Sequence, residues 1–315
     1  MKTKIIMMSA LLALLATGCN KEDNNGSFDG RLKIFAEEMT NASGSKLLID
    51  AGDLTNPVQW LNGENINING KVKGIAFNSD HFEVNVNNLA LSTDGFNGYY
   101  AVYPGDDDVY GNEVTVTNSN TTASITLNKL VLNFHAGETT HDVVFPMGGK
   151  VNADNASQGL VFKHLTAGFL LTLENTTASN VSMDKLKVIV YGSEGDAAGA
   201  TTIDGVGYTV KWADQGPTVP TGQTGSLTDR DVSFASVMDF DLKTDGFAGM
   251  TIDAKVGTVN GKKQLCIPVT LAQVKRITVI GYNGSDVVFS KTSTLDPQPT
   301  LACNVIYPVK AIVVK

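Results

Sequence analysis

The feature that most constrains the fold is an alternation of short β-prone runs with clusters of turn-forming residues. Runs such as LKIFAEE, YYAVYP and KLKVIVYG are separated by stretches rich in Asn, Gly, Ser and Asp. Many of these runs follow one another at intervals of about eight to twelve residues. No segment has the pattern of an ordinary helix, and TLAQVKR would form one or two turns at most. The sequence therefore predicts an all-β protein made of antiparallel β-sandwiches.

Length and glycine content predict two domains in tandem. The chain has 315 residues, which is enough for two hydrophobic cores. The stretch GGKVNADNASQG, residues 148–159, is rich in glycine and asparagine and is the best candidate for a loose connection. We therefore predict an N-terminal domain over residues 32–155 and a C-terminal domain over residues 156–315.

The N-terminus has the organisation of an export signal. Two lysines precede an apolar run, residues 5–15, which is too short to span a bilayer as a helix. The next residues, LATGC, resemble a bacterial lipobox, in which the cysteine thiol receives lipid and the chain is cut before it. An ordinary signal peptide that contains a cysteine is the alternative. We predict a signal peptide over residues 1–18, lipidation of Cys19 and a polar tether over residues 19–31.

The residues after Cys19 predict a location. Asn20 is not the aspartate that typically retains a lipoprotein at the inner membrane. Lys21, Glu22 and Asp23 resemble a short signal that sends lipoproteins to the outer face of the outer membrane. We therefore expect a lipid anchor in the outer membrane and display at the cell surface.

Charge and motif content exclude several function classes. The net charge is −8 and becomes −10 when the two lysines of residues 1–18 are removed. No basic tract remains for nucleic acid or for anionic lipid. The sequence contains no GxSxG, HExxH, CxxC or Walker-type motif. We therefore expect no enzymatic activity and no cofactor.

Isolated polar residues also favour structural roles. His164 lies within a strand pattern, which is typical of a hydrogen-bonded structural histidine. The acidic run at residues 106–108 lacks the spacing of a calcium loop and is interpreted as a solvated turn, so no metal is expected. Cys266 and Cys303 would be able to form a disulfide in an exported chain, but two buried thiols are at least as consistent with the sequence.

Four separated stretches occur in the order found in fimbrillin-like proteins, the subunits of type V pili. These stretches are WLNGENINING (60–70), YYAVYPGD (99–106), FPMGGKV with LVFKHLTAGFLLTLEN (145–175), and LACNVIYPVKAIVV (301–314). Glu64 stands where the family usually has aspartate. The resemblance covers the mature chain and implies two transthyretin-like β-sandwich domains. It also implies assembly by strand exchange, in which a surface protease removes a first strand and a neighbouring subunit fills the resulting groove.

By this resemblance, LKIFAEEM (32–39) is the strand that is removed, with one face formed by Leu32, Ile34 and Ala36. The cut would follow Lys46 and leave Leu47 as the new N-terminus. The family more often has arginine at the cut, and Arg31 is the less favoured site because cutting there releases only the tether. A first strand that is never cut is the alternative.

The C-terminal run VIYPVKAIVVK resembles the donor strand of the family. One face carries Val305, Tyr307, Val309, Ala311 and Val313. The nearly continuous apolar character predicts burial on both faces, and Pro308 marks an edge or a bend because proline cannot donate to a ladder. The alternative is that this is simply the last strand of its own domain.

Three function classes follow from the sequence. The favoured one is a structural subunit of a type V fimbria, in the shaft or at the tip, that serves adhesion. Its partners would be other pilin subunits, including tip or anchor subunits, a processing protease and the outer membrane before processing. The alternative is a non-polymerising surface lipoprotein that binds glycans, with Trp212 and Tyr208 as its ligand platform, although the favoured interpretation of Trp212 is a core anchor. A hydrolase is the third class and has no supporting motif.

Overall fold

A computed structural model describes residues 28–36, 40–41, 64–91, 97–106, 112–119, 122–134, 141–142, 144–192, 202–204, 206–211, 235–244, 247–269, 274–295, 301–303 and 305–315. These residues form β-strands almost throughout, together with a 3₁₀ helix at Ala153–Gln158. The predicted all-β class is confirmed. Within the described ranges, no helix is both long and apolar enough to cross a membrane.

The strands are numbered in chain order. They are β1 (Arg31–Ala36), β2 (Thr40–Asn41), β3 (Asn65–Ile68), β4 (Lys71–Gly74), β5 (Ala76–Asn78), β6 (His81–Asn85), β7 (Gly98–Tyr103), β8 (Glu113–Asn118), β9 (Thr122–Phe134), β10 (His141–Asp142), β11 (Met147–Asn152), β12 (Leu160–His164), β13 (Ala167–Asn175), β14 (Val181–Met183), β15 (Lys185–Tyr191), β16 (Thr202–Asp204), β17 (Val206–Lys211), β18 (Ala235–Thr244), β19 (Phe247–Ala248), β20 (Met250–Ile252), β21 (Gly261–Val269), β22 (Arg276–Asn283), β23 (Asp286–Thr294), β24 (Val305–Pro308) and β25 (Ile312–Val313).

The first sheet has eight strands in the order β4-β3-β7-β11-β12-β1-β6-β5. The strands at its two ends, β4 and β5, are separated in the chain by Ile75 alone. The sheet therefore folds back on itself at Ile75, whose side chain is buried, and encloses a core. Side chains from several of its strands fill this core, among them Leu32, Ile66, Val84 and Phe162.

The other strands form a ten-stranded, a five-stranded and a two-stranded sheet. The ten-stranded sheet has the order β10-β9-β18-β15-β22-β23, with β8 and β17 paired to β9, and β16 and β19 paired to β18. The five-stranded sheet has the order β2-β24-β13-β21, with β25 also paired to β13, and β14 pairs with β20. Strand β15 shows the period of two that the sequence predicts, because it buries Leu186, Val188 and Val190.

Most strand pairs are antiparallel, as predicted, but the sheets are mixed. The parallel pairs are β1–β12, β2–β24, β9–β18, β13–β24, β13–β25 and β16–β18. Four of these six pairs involve the first two or the last two strands. Such strands come from distant parts of the chain, so no short hairpin forces them to run antiparallel.

Several strands pair with strands on the other side of the domain boundary that we predict at residue 155. The first half of β9 pairs with β8 and β17, whereas residues 130–134 pair with β18. Strand β12 lies beyond that boundary but pairs with β1 and β11 of the first sheet. The stretch 148–159, predicted to be loose, instead forms most of β11 and the 3₁₀ helix. Sheet membership changes between β12 and β13, and the domain boundary itself stays a prediction.

Candidate strand-exchange site

The first strand lies inside the eight-stranded sheet rather than at its edge. β1 pairs with β12 on one side, where Ile34 faces Leu160, and with β6 on the other, where Leu32 faces Val84. Leu32 is 0% exposed and Ile34 is 2% exposed, while Ala36 is half-buried. The face named in the sequence prediction is therefore the face that packs into the core.

Polar contacts hold the start of β1. The Arg31 guanidinium donates from Nη1 to Oε1 of Glu83 at 2.7 Å, and the Asn78 amide donates to Oε2 of the same carboxylate at 3.1 Å. The Asn78 hydrogen bond, together with Arg31, lowers the pKa of Glu83 below its ordinary value. The Asp29 carboxylate accepts from the Arg31 backbone N–H at 2.9 Å. These contacts fix the register at which the chain enters the sheet.

A glycine lets the loop after the 3₁₀ helix approach β1 closely. Gly159 has φ +90°, a conformation that L side chains rarely adopt. A Cβ at this position would lie 2.6 Å from Cε2 of Phe35 and 3.0 Å from the carbonyl oxygen of Lys33. The backbone before β12 is therefore shaped around β1.

Loss of β1 would leave a slot between β6 and β12. Both neighbouring strands would then have unpaired N–H and C=O groups along one edge, and the pockets of Leu32 and Ile34 would be open to water. An incoming strand would meet both demands of such a slot, because its main chain would restore the ladders and its alternate side chains would fill the pockets.

The second strand connects the same N-terminal segment to a different sheet. β2 pairs in parallel with β24, with Thr40 opposite Val305 and Asn41 opposite Ile306. β24 in turn pairs in parallel with β13, with Ile306 opposite Gly168. Residues 40–41 and residues 305–306, which are far apart in the sequence, are therefore neighbours in one sheet.

The C-terminal segment belongs to its own sheet and buries one face of it. The backbone N–H groups of Val309 and Val314 donate to carbonyl oxygens of β13 at 2.9 Å. The buried side chains are Ile306, Val309, Ile312 and Val314. The predicted donor face is mostly outside the core: Val305 and Tyr307 are half-buried, Ala311 is exposed, and Val313 is 43% exposed.

The prediction of burial on both faces is thus wrong for the single chain. The segment runs along β13 with only one side on the core, so the other side meets solvent. The expected break at Pro308 is present, because β24 ends there and β25 begins at Ile312. The irregular residues between the two strands change the phase of the pattern, which places Val309 on the buried side.

Two motifs of the fimbrillin resemblance meet in the structure. Glu64, which is buried, accepts a hydrogen bond from the Tyr103 hydroxyl at 2.8 Å. Asn65 donates from its side chain to Oδ1 of Asp106 at 2.9 Å. Asp106 therefore links the residues that follow β7 to the start of β3, while Asp107 and Asp108 lie outside the described residues, so the predicted solvated turn stays a prediction.

The structure describes three more of the candidate residues, namely His164, Cys266 and Cys303. His164 is buried, and its ring meets Phe145 edge-on at 5.8 Å between centroids. Cys266 and Cys303 carry thiols and are not bridged to each other, and burial raises the pKa of Cys266 to about 12. Over the described ranges, no group of three His, Cys, Asp or Glu side chains could hold a metal ion.

Several predicted sites lie outside the described residues. These are Cys19, Lys46, Leu47 and Trp212, together with the side chain of Tyr208. Lipidation, proteolytic processing and a ligand platform therefore stay predictions. Sequence reasoning missed the pairing of β2 with β24, because Thr40 and Asn41 carry no alternating pattern that would have revealed a strand.

Comparisons with known proteins give neighbours among solved structures. No family model matches the chain, and no curated protein matches it. It is similar to the crystal structure of a candidate cell adhesion protein from Bacteroides ovatus, with a TM-score of 0.37 and 11% identity over 88% of this chain and 89% of that chain. A second such protein, from Bacteroides uniformis, gives a TM-score of 0.36 and 11% identity over 90% and 95% of the two chains. At this level of likeness the comparison assigns neither a family nor an activity, and the fimbrillin resemblance stays a prediction.

Proposed function

We propose that the chain is a structural subunit of a type V fimbria that serves adhesion. It is exported as a lipoprotein anchored at Cys19 in the outer membrane and displayed at the cell surface. A surface protease then cuts after Lys46 and releases the tether together with β1. The last strand of a neighbouring subunit fills the slot that β1 leaves. In this role the chain catalyses nothing and needs no cofactor, and its partners are other subunits and the processing protease.

The observation that carries the proposal is the position of β1. This strand precedes the predicted cut, yet it is paired on both sides and supplies Leu32 and Ile34 to the core. Each such side chain contributes roughly 1.5–3 kcal/mol by leaving water. A cut subunit that has lost β1 therefore recovers this free energy when it accepts an apolar strand from a neighbour. The free energy of burying that strand would drive assembly.

The C-terminal segment has a partly exposed apolar face that would fill this slot. In its own domain the face with Val305, Tyr307 and Val313 stays partly in water. Insertion into the slot of a neighbour would bury this face in addition to restoring main-chain hydrogen bonds. Polymerisation would thus bury apolar surface that the single chain leaves exposed.

Deletion of residues 305–315 tests the donor assignment, with electron microscopy of producing cells as the assay. We expect filaments to disappear while the cells still export the protein. Unchanged filaments would contradict the assignment.

A point variant with a matched control separates assembly from folding. Val313→Asp changes a valine that is 43% exposed on the proposed donor face, and Val287→Asp changes a valine that is 57% exposed on β23. Both variants should fold, because neither carboxylate is buried in the single chain. We expect only Val313→Asp to reduce filament formation, since insertion would bury its charge. Equal effects of the two variants would argue against donation by this face.

A further inference from the structure

The N-terminal segment that would be removed contributes a strand to each of two sheets. β1 fills the slot between β6 and β12 in the eight-stranded sheet. Only residues 37–39 separate it from β2, which pairs with β24 in the five-stranded sheet. A single excised piece therefore touches both the place where a donor would bind and the strand that would be donated.

β2 covers the outer edge of the last strand. β24 has β13 on one side, and at Val305 and Ile306 it has β2 on the other. Within the described ranges, no strand other than these two pairs with β24. With β2 gone, the start of the C-terminal segment would become an open sheet edge.

The last two strands have few backbone pairs with the rest of their domain. β24 has three paired positions with β13, and β25 has two. By contrast, β13 and β21 pair at nine positions. The two positions that pair with β2, Val305 and Ile306, lie at the start of the segment. They are therefore well placed to control whether the segment leaves β13.

We propose that β1 and β2 together form a clasp, in which β2 keeps β24 in its own domain until the chain is cut. The clasp rests on the proposed function and adds a control to it: one cut both opens the acceptor slot and uncovers the donor strand. An uncut subunit is then unable to accept, because β1 fills its slot, and unable to donate, because β2 holds β24. Premature assembly on the way to the cell surface is blocked at both ends of the chain.

Substitutions in β2 test the clasp while leaving β1 in place. Thr40→Pro combined with Asn41→Pro removes both N–H groups of β2, so pairing with β24 is lost. Thr40→Val combined with Asn41→Val is the matched control, because valine is compatible with a strand. Both double variants are made in the uncut chain with Cys19→Ser, which leaves the protein without lipid.

The first readout is amide hydrogen exchange measured by mass spectrometry. We expect peptides covering residues 305–309 to exchange about fivefold faster in the proline variant, which is the factor expected for loss of one net hydrogen bond. Peptides covering β1 should be unchanged, and the valine variant should behave like the parent. Equal exchange at residues 305–309 in all three proteins would overturn the clasp.

The second readout is donation to a cut subunit. Labelled uncut protein is mixed with wild-type subunits cut after Lys46, and stable adducts are separated by size-exclusion chromatography. We expect the proline variant to form adducts, and the uncut parent and valine variant to form none. Equal adduct formation by the uncut parent would overturn the clasp. If cut wild-type subunits fail to assemble with one another, the proposed function fails, and the exchange measurement still decides the clasp.

Discussion

The burial of β1 predicts that substitutions in this strand change the stability of the uncut protein but not that of subunits cut after Lys46. Leu32→Ala and Ile34→Ala each remove a buried side chain from an interior strand of the eight-stranded sheet. The residue between them, Lys33, points away from that core and is exposed. Lys33→Ala is therefore a matched control on the same strand.

The magnitudes follow from burial. Replacement of a buried Leu or Ile by Ala costs about 2–5 kcal/mol, from lost transfer free energy and from the cavity that remains. Typical unfolding free energies are about 5–15 kcal/mol, so either change should remove a large part of the stability of the sheet. Lys33→Ala should change the unfolding free energy by no more than about 0.5 kcal/mol.

Urea unfolding followed by circular dichroism measures these values for the uncut protein. We expect a clear shift of the unfolding midpoint for the two core variants and almost none for Lys33→Ala. Subunits that have been cut after Lys46 no longer contain β1. Once such subunits have assembled, all three variants should therefore unfold at the same urea concentration as the wild type. Core variants as stable as Lys33→Ala would refute the placement of β1. A difference that persists after cutting would refute its removal.

Three further predictions concern single groups. Because the folded protein lowers the pKa of Glu83 below its ordinary value of 4.5, the stability from this carboxylate is present above that pH and is lost as pH falls through the folded pKa. In urea titrations, the free energy of unfolding of Glu83→Gln should fall on acidification by up to about 1 kcal/mol less than that of the wild type. Equal falls would argue against the contacts of Glu83 with Asn78 and Arg31. Burial raises the pKa of the Cys266 thiol to about 12, so iodoacetamide at pH 8 should label it only after unfolding, and rapid labelling of the native protein would contradict its burial. Gly159→Ala should destabilise the protein by about 1–3 kcal/mol more than Gly257→Ala, because both have positive φ but only Gly159 meets neighbouring atoms within 4 Å; equal thermal shifts would refute the close packing against β1.

The sequence predicts β1 and the all-β class well because both depend on local alternation. Leu32 and Ile34 are two residues apart, so any strand containing them places both on one face. The same reasoning explains β15, where every second residue is apolar and buried. A period of two is visible without knowledge of what lies opposite.

Glycine-rich sequence was less informative because glycine serves two purposes. In the stretch 148–159 it predicted a loose connection, but Gly149 lies within β11. A Cβ at Gly149 would collide with the backbone carbonyl of Val161, so glycine is needed there for close approach of two strands rather than for a turn. Composition alone does not distinguish these two uses.

The C-terminal segment shows a second limit of sequence reasoning. Its apolar residues lie on both faces, but only tertiary structure determines which face has a neighbour. The pairing of β2 with β24 is a main-chain contact between residues more than 260 positions apart. The sequence at Thr40 and Asn41 has no side-chain pattern that predicts this pairing. Both features are invisible until the sheet order is known.

The most direct test of the account is the intact mass and N-terminal sequence of the protein recovered from the cell surface, with filaments and membranes analysed separately. We expect filaments to contain a chain that begins at Leu47, carries no lipid and lacks both β1 and β2. A surface protein that begins at lipidated Cys19 and is found only as single chains would contradict it.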